Sequence, residues 1–128
     1  MERIHLYRGK RLDNGQFIEG SLIGEDVIVG KIVDFEEDYF TTEFWYKVDP
    51  ETVGQFTGMT DKHGTKIFEG DILNEPFEGR EKLYQVFWSE DYFSFRVKNG
   101  YGEYYLDEIC QSRCEVIGNI YDNKELLK

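Results

Sequence analysis

Proline, cysteine and histidine are nearly absent from this 128-residue chain, at two residues each, and cations are outnumbered by acids 15 to 26. With so little proline the chain holds no proline-rich linker, and no internal repeat or low-complexity tract divides it. Two cysteines exclude a disulfide-built scaffold. Cys110 and Cys114 stand four apart. On a strand their Cα atoms would lie about 13 Å apart, and on a helical turn they would share a face outside normal disulfide geometry, so the spacing predicts two small buried thiols. The histidines, His5 and His63, lie far from each other and from the cysteines, so the spacing expected of a zinc site is missing. No structural metal is expected.

The shortage of cations leaves a formal net charge of −11. Such a surface repels polyanions at long range, which argues against nonspecific binding to nucleic acid or to an anionic membrane. The acidity is spread along the chain, about −5 before residue 50 and −6 after it. Only Arg3, Arg8, Lys10 and Arg11 form a local cationic cluster, read as exposed ends of strand residues rather than as a phosphate site. No apolar run approaches the ~18 residues of a membrane span, and the N-terminus lacks the layout of a signal peptide. The expected location is the compartment of synthesis.

Aromatic residues are plentiful. Ten Phe, nine Tyr and two Trp make up 16% of the chain, within a hydrophobic share of 40%. Rings pack well on a pleated surface, so this composition leans toward strands. A chain of this size buries roughly two-thirds of its unfolded surface without staples. One domain over residues 1–128 is expected, with an N-terminal β layer over 1–50 and a small barrel over 51–121 as its internal division.

Along the chain, residues 5–12 and 16–23 read as strands joined by Asp13-Asn14-Gly15, with the two last residues suited to positive φ. Residues 27–33 read as a half-buried third strand, and 34–38 as a solvated acidic loop without the ligand spacing of a calcium loop. Residues 39–48 predict a strand ended by Asp49-Pro50. Thr57-Gly58-Met59 and Lys66-Ile67-Phe68 then pair across Asp61-Lys62-His63-Gly64, with Gly64 in the left-handed position. Further strands are expected after Gly70, over 83–88, 92–97, 101–106 and 115–121. A helical turn is expected within 107–113, and Asp122 is placed to cap a short helix over 123–127. Together these elements predict a mainly β fold of short antiparallel strands, forming a curled sheet or a small SH3-like barrel.

The stretch Thr52–Leu73 is the densest in turn signals, and its polar residues are the natural site candidates. Asp71 beside Glu69 has the makings of a Mg²⁺ ligand pair, but an aspartate at a strand entry commonly caps backbone amides while glycine relieves crowding. Gln55 and Thr57 face either a cleft or neighbouring backbone groups. His63 would need an orienting partner to act as a base, and the sequence names none. Nucleophile elbows, Walker loops and dinucleotide fingerprints are all missing. No residue is therefore assigned a catalytic, cofactor-binding or metal-binding role.

Four motifs in fixed order carry a resemblance. Tyr7-Arg8-Gly9-Lys10-Arg11 with Asp13-Asn14-Gly15, Thr52-Val53-Gly54-Gln55-Phe56-Thr57-Gly58 with Asp61-Lys62-His63-Gly64, Phe68-Glu69-Gly70-Asp71-Ile72, and Glu115-Val116-Ile117-Gly118-Asn119-Ile120-Tyr121 together resemble the YopX family of phage and prophage proteins. The likeness runs nearly end to end, with His63 where asparagine is usual before the hairpin glycine. It implies a mainly β fold, a phage or prophage origin and action in the cytoplasm of a bacterial host, and it implies no reaction. The function expected is that of a noncatalytic accessory protein working through contacts with a host or phage protein or as a homo-oligomer, the aromatic excess supplying interface anchors. The alternatives are a small barrel that stacks nucleic-acid bases, an acidic DNA mimic that inhibits a host protein, and, least favoured, a metal-dependent hydrolase built on Glu69 and Asp71.

Overall fold

The computed structural model describes residues 5–110 and 113–127. It is built almost entirely of antiparallel strands, with a single four-residue α-helix near the C-terminus. The chain divides into two compact units, Met1–Phe56 and Thr57–Lys128.

In the first unit β1 (Tyr7–Arg11), β2 (Phe17–Ile23) and β3 (Val27–Val29) are followed by β4 (Ile32–Phe35), β5 (Phe40–Thr42) and the start of the long β6 (Trp45–Thr60). β1 pairs with both β2 and β6, and β3 pairs with both β2 and β6, so the ladder of four strands closes on itself. Closure removes open edges and buries Ile28, Val48 and Phe56 inside a small space. Gly9 and Gly20 make room for that closure. A Cβ at Gly9 would meet the Val48 side chain, and one at Gly20 would collide with the Val29 carbonyl oxygen. β4 and β5 pair only with each other, as a separate hairpin.

The first turn differs from expectation. Gly15 takes φ 71°, but Asn14 has no positive φ; its side-chain oxygen accepts the Gln16 N–H at 2.9 Å instead. The turn with positive φ at both central residues occurs at Glu78-Gly79, between Phe77 and Arg80, which exchange backbone hydrogen bonds. The strand expected over 27–33 is broken at Gly30, whose N–H donates to the Phe44 carbonyl and whose Cα lies under the Phe44 ring. The strand expected over 39–48 is likewise interrupted between Thr42 and Trp45, and the acidic loop over 34–38 shrinks to the hairpin turn between β4 and β5. Pro50 does not end its strand. It falls where the β1–β6 register slips, Lys10 opposing Asp49 and Arg8 opposing Gly54, and a bulge needs no N–H from the residue it displaces.

In the second unit the end of β6 leads to β7 (Lys66–Phe68), and a sheet in the order β11-β10-β9-β8-β12 follows. Its strands are β8 (Asp71–Asn74), β9 (Leu83–Ser89), β10 (Ser94–Asn99), β11 (Gly102–Tyr105) and β12 (Glu115–Asn119). α1 (Leu106–Ile109) packs Leu106 and Ile109 onto one face of it. That face carries Leu73, Tyr84, Val86 and Val97, all fully buried, with Tyr84 edge-on to Tyr104 at 5.6 Å. Each such side chain contributes about 1.5–3 kcal/mol by leaving water. The C-terminal helix expected over 123–127 is a 3₁₀ turn, Lys124–Leu127, and the Asp122 carboxylate accepts the Asn119 side-chain amide at 3.1 Å.

The reading of Cys110 and Cys114 as free thiols is overturned. The two are joined as a disulfide with Cα atoms 4.9 Å apart, both buried beside Leu106 and Ile109. The segment leaves α1 at Cys110 and reaches β12 only at Glu115, so neither the strand nor the helical spacing applies between the two sulfurs. Of the turn expected over 107–113, residues 111 and 112 lie outside the described residues.

Because the obstacle at Gly20 is backbone, we predict that Gly20→Ala lowers stability by about 2–3 kcal/mol, whereas Gly100→Ala, with open space around its Cα, changes it by less than about 0.5 kcal/mol. Urea unfolding of the two variants beside the parent checks this.

Candidate functional site

The Thr57–Leu73 region resolves into backbone architecture. Asp61 is 6% exposed, and its carboxylate accepts the N–H of His63 and of Thr65, both at 2.9 Å, through Oδ1 and the N–H of Val116, at 2.9 Å, through Oδ2. Burial alone would raise the pKa of this group, but the three N–H donors and the nearby His63 outweigh it, and the net direction is downward. Gly64 closes the loop at φ 82°, as its position in the sequence predicts.

Asp71 behaves as a cap. It is 1% exposed and accepts the Phe68 N–H at 2.7 Å through Oδ2. Gly70 beside it, at φ 92°, donates to the Val86 carbonyl and accepts from Ile120, which ties the loop to β9 and to the end of β12. Thr57 is satisfied in the same way, donating to the Ile67 carbonyl at 2.8 Å and accepting the Met59 N–H at 3.2 Å. Gln55 falls opposite Tyr7 in the β1–β6 register.

His63 does have a partner. Its Nε2 lies 3.1 Å from Glu115 Oε2, which Lys62 Nζ also approaches at 3.4 Å. The hydrogen bond from His63, then that from Lys62, lowers the Glu115 pKa. The cluster is exposed, and such pairs are worth little in water. Among the described residues, no three His, Cys, Asp or Glu side chains converge as a cation site.

The cationic start of the chain is spent on rings. Arg8 lies 4.5 Å and Lys10 5.6 Å from the centre of the Phe17 ring, while Arg11 stacks 3.6 Å over Tyr46 and pairs with Asp13 at 2.6 Å. Arg3, the remaining member of the cluster, lies outside the described residues.

What composition alone could not locate is the exposed aromatic surface. In the first unit every residue of β4 is exposed, and Phe35 at 71% stacks on Phe40, its register partner, with centroids 6.3 Å apart. Beside β5, Ile23, Val27, Phe40 and Trp45 border an open groove of about 350 Å³. In the second unit the outer sheet face presents Tyr92, Tyr105 and Tyr101 together with Lys98, which lies 4.7 Å over Phe87. The signal in the sequence was weak: Phe35 and Phe40 bracket an acidic run, and nothing local says whether such rings face core or water.

A mainly antiparallel β protein whose polar loop residues serve its own backbone is the class that fold and site define. The YopX protein family matches over residues 6–128, and the chain belongs to that family. A solved structure, the crystal structure of protein EF1440 from Enterococcus faecalis, has the same fold at a TM-score of 0.66 and 20% identity, covering 99% of this chain and 100% of that one. No curated protein matches the chain.

The Asp61 geometry sets a pH dependence. A folded pKa below the unfolded one means that the stability Asp61 adds is complete above the ordinary aspartate value, about 3.9, and is lost as pH falls from there through the lowered native value. We predict that Asp61→Ala, which orphans three N–H donors, costs about 3 kcal/mol at pH 7 and flattens the acid limb of the stability curve. Denaturant midpoints at pH 7 and across the acid range measure both.

Proposed function

We propose that this chain is a noncatalytic accessory protein of a phage or prophage that acts by binding another protein in the bacterial cytoplasm. The observation that carries the reading is the β4–β5 hairpin. Ile32, Val33, Phe35, Tyr39 and Phe40 are all exposed on a two-stranded sheet that pairs with no other strand, next to exposed Trp45. Isolated hairpins are marginal in water, and exposed apolar side chains that include a tryptophan and several other rings have the composition of an interface hot spot. Asp34, Glu36, Glu37 and Asp38 surround the hairpin turn with charge, giving the apolar stripe a polar rim.

Family membership supports the reading, as does the use of Asp61, Asp71 and Thr57 on backbone groups. The reading takes the partner to be a host or phage protein. No helix among the described residues is long and apolar enough to cross a membrane.

We predict that Phe35→Ser with Phe40→Ser leaves the melting temperature within about 2 °C of the parent, because both rings lie outside the buried core. The double variant is expected to lose the proteins that the parent retains in affinity purification from infected host cells followed by mass spectrometry. Equal recovery by parent and variant would refute the hairpin as the contact. A parent whose mass in solution is a multiple of the monomer, against a monomeric variant, would make the partner a second copy.

A further inference from the structure

Arg96 is the buried charge that the fold does not account for. It lies at the centre of β10, is 6% exposed, and its Nε and Nη1 are buried without a hydrogen-bond partner. Its guanidinium is held between two rings, 4.1 Å from the centre of Tyr92 and 4.5 Å from that of Tyr105. Among the described residues no carboxylate reaches it within ion-pair distance, although the chain carries 26 acidic residues. Leaving donors of a buried cation unmet is costly, and replacing such a group by an apolar side chain is often stabilising. Packing alone therefore explains the stack but not the arginine.

We propose that Arg96, with Tyr92 and Tyr105 as walls, is a binding site for a single carboxylate on an apolar stretch of a protein partner. The guanidinium fork matches a carboxylate in a bidentate pair, and the rings hold its plane in place. The surroundings select against a polyanion. Glu90 and Asp91 occupy the β9–β10 turn and Glu103 stands opposite Lys98, so a run of phosphates would meet like charge repeatedly, whereas a single carboxylate with apolar neighbours carries one charge past it. Exposed Phe93, next to Tyr92 in the turn, supplies an apolar contact beside the site.

Entry runs through the β9–β10 turn. Tyr92, which covers Arg96, is held by its N–H to Ser89 Oγ at 3.3 Å, a long bond, and the next residue, Phe93, has φ 49° and is 80% exposed. A bulky side chain in the left-handed region costs of order 1 kcal/mol, so the turn that carries Tyr92 gives up little by shifting enough to admit a ligand beside the ring. This inference deepens the reading of the chain as a protein-binding module. It stands on the second unit, whereas the β4–β5 hairpin lies in the first.

The test is a titration of the full ¹⁵N-labelled chain, following the Arg96 Nε–H resonance, assigned by its disappearance in Arg96→Lys. N-acetyl-tryptophan supplies a carboxylate beside an aromatic group, and its neutral amide is the control. The acid is expected to shift the resonance saturably in the low millimolar range, with the Tyr92 and Phe93 backbone amides moving alongside, and the amide is expected to leave all three unmoved. In Arg96→Lys, with unchanged amide dispersion, the Tyr92 and Phe93 shifts should be lost. No saturable shift with the acid, or an equal shift with the amide, would overturn the carboxylate site. Tighter binding of inorganic phosphate or of a ten-residue oligothymidine would overturn it in favour of a nucleic-acid surface. These probes are independent of the infected-cell purification, so either experiment can fail while the other stands.

Discussion

The second unit depends on one carboxylate. Asp61 gathers the N–H groups of His63 and Thr65 from its own loop and of Val116 from the last strand, 55 residues away. The local pair shapes the turn between β6 and β7, and the distant bond fixes that turn against β12. Lys62 N–H, donating to the Cys114 carbonyl, adds a second tie at the same place. A side chain able to accept several N–H bonds at once, while remaining charged in a buried setting, joins elements that backbone ladders alone leave apart.

The same economy runs through the motifs that make the chain recognisable. Asp71, Gly70 and Thr57 each spend their chemistry or their missing side chain on neighbouring backbone. Polar residues clustered in a signature stretch invite a catalytic reading, yet in a small β protein loops are short and bury many amides, which must be paired. The functional burden then falls on surfaces that the motifs support. Here those are the β4–β5 hairpin of one unit and the Arg96 clamp of the other, two places where burial and polarity are mismatched: apolar rings in water, and a charge out of it.

Much of the architecture was legible in order along the chain. Alternating apolar residues marked β1, β2, β9, β10 and β12, and glycine marked the β6–β7 loop through Gly64. The misreadings share one cause. Pro50, the strand over 27–33 and the Cys110–Cys114 spacing were judged from local rules, and each was settled by a contact outside the local window. The β1–β6 register slip accommodates Pro50, the Phe44 ring breaks a strand at Gly30, and packing of α1 against the sheet brings the two cysteines together. The arginine clamp was illegible for the same reason, since Tyr92 and Tyr105 reach Arg96 from a turn and from a neighbouring strand.

By itself the sequence determined the strand content, the acidic surface and the family, because side-chain alternation, net charge and motif order are properties of the chain as written. Only the tertiary structure decided which of the twenty-one aromatic rings fill a core and which stay in water, and that Arg96 is buried between two of them. The physical reason is that a strand pairs with neighbours distant in sequence. The face a ring points to, and the partner a charge meets, are therefore fixed by register and closure rather than by the residues beside it.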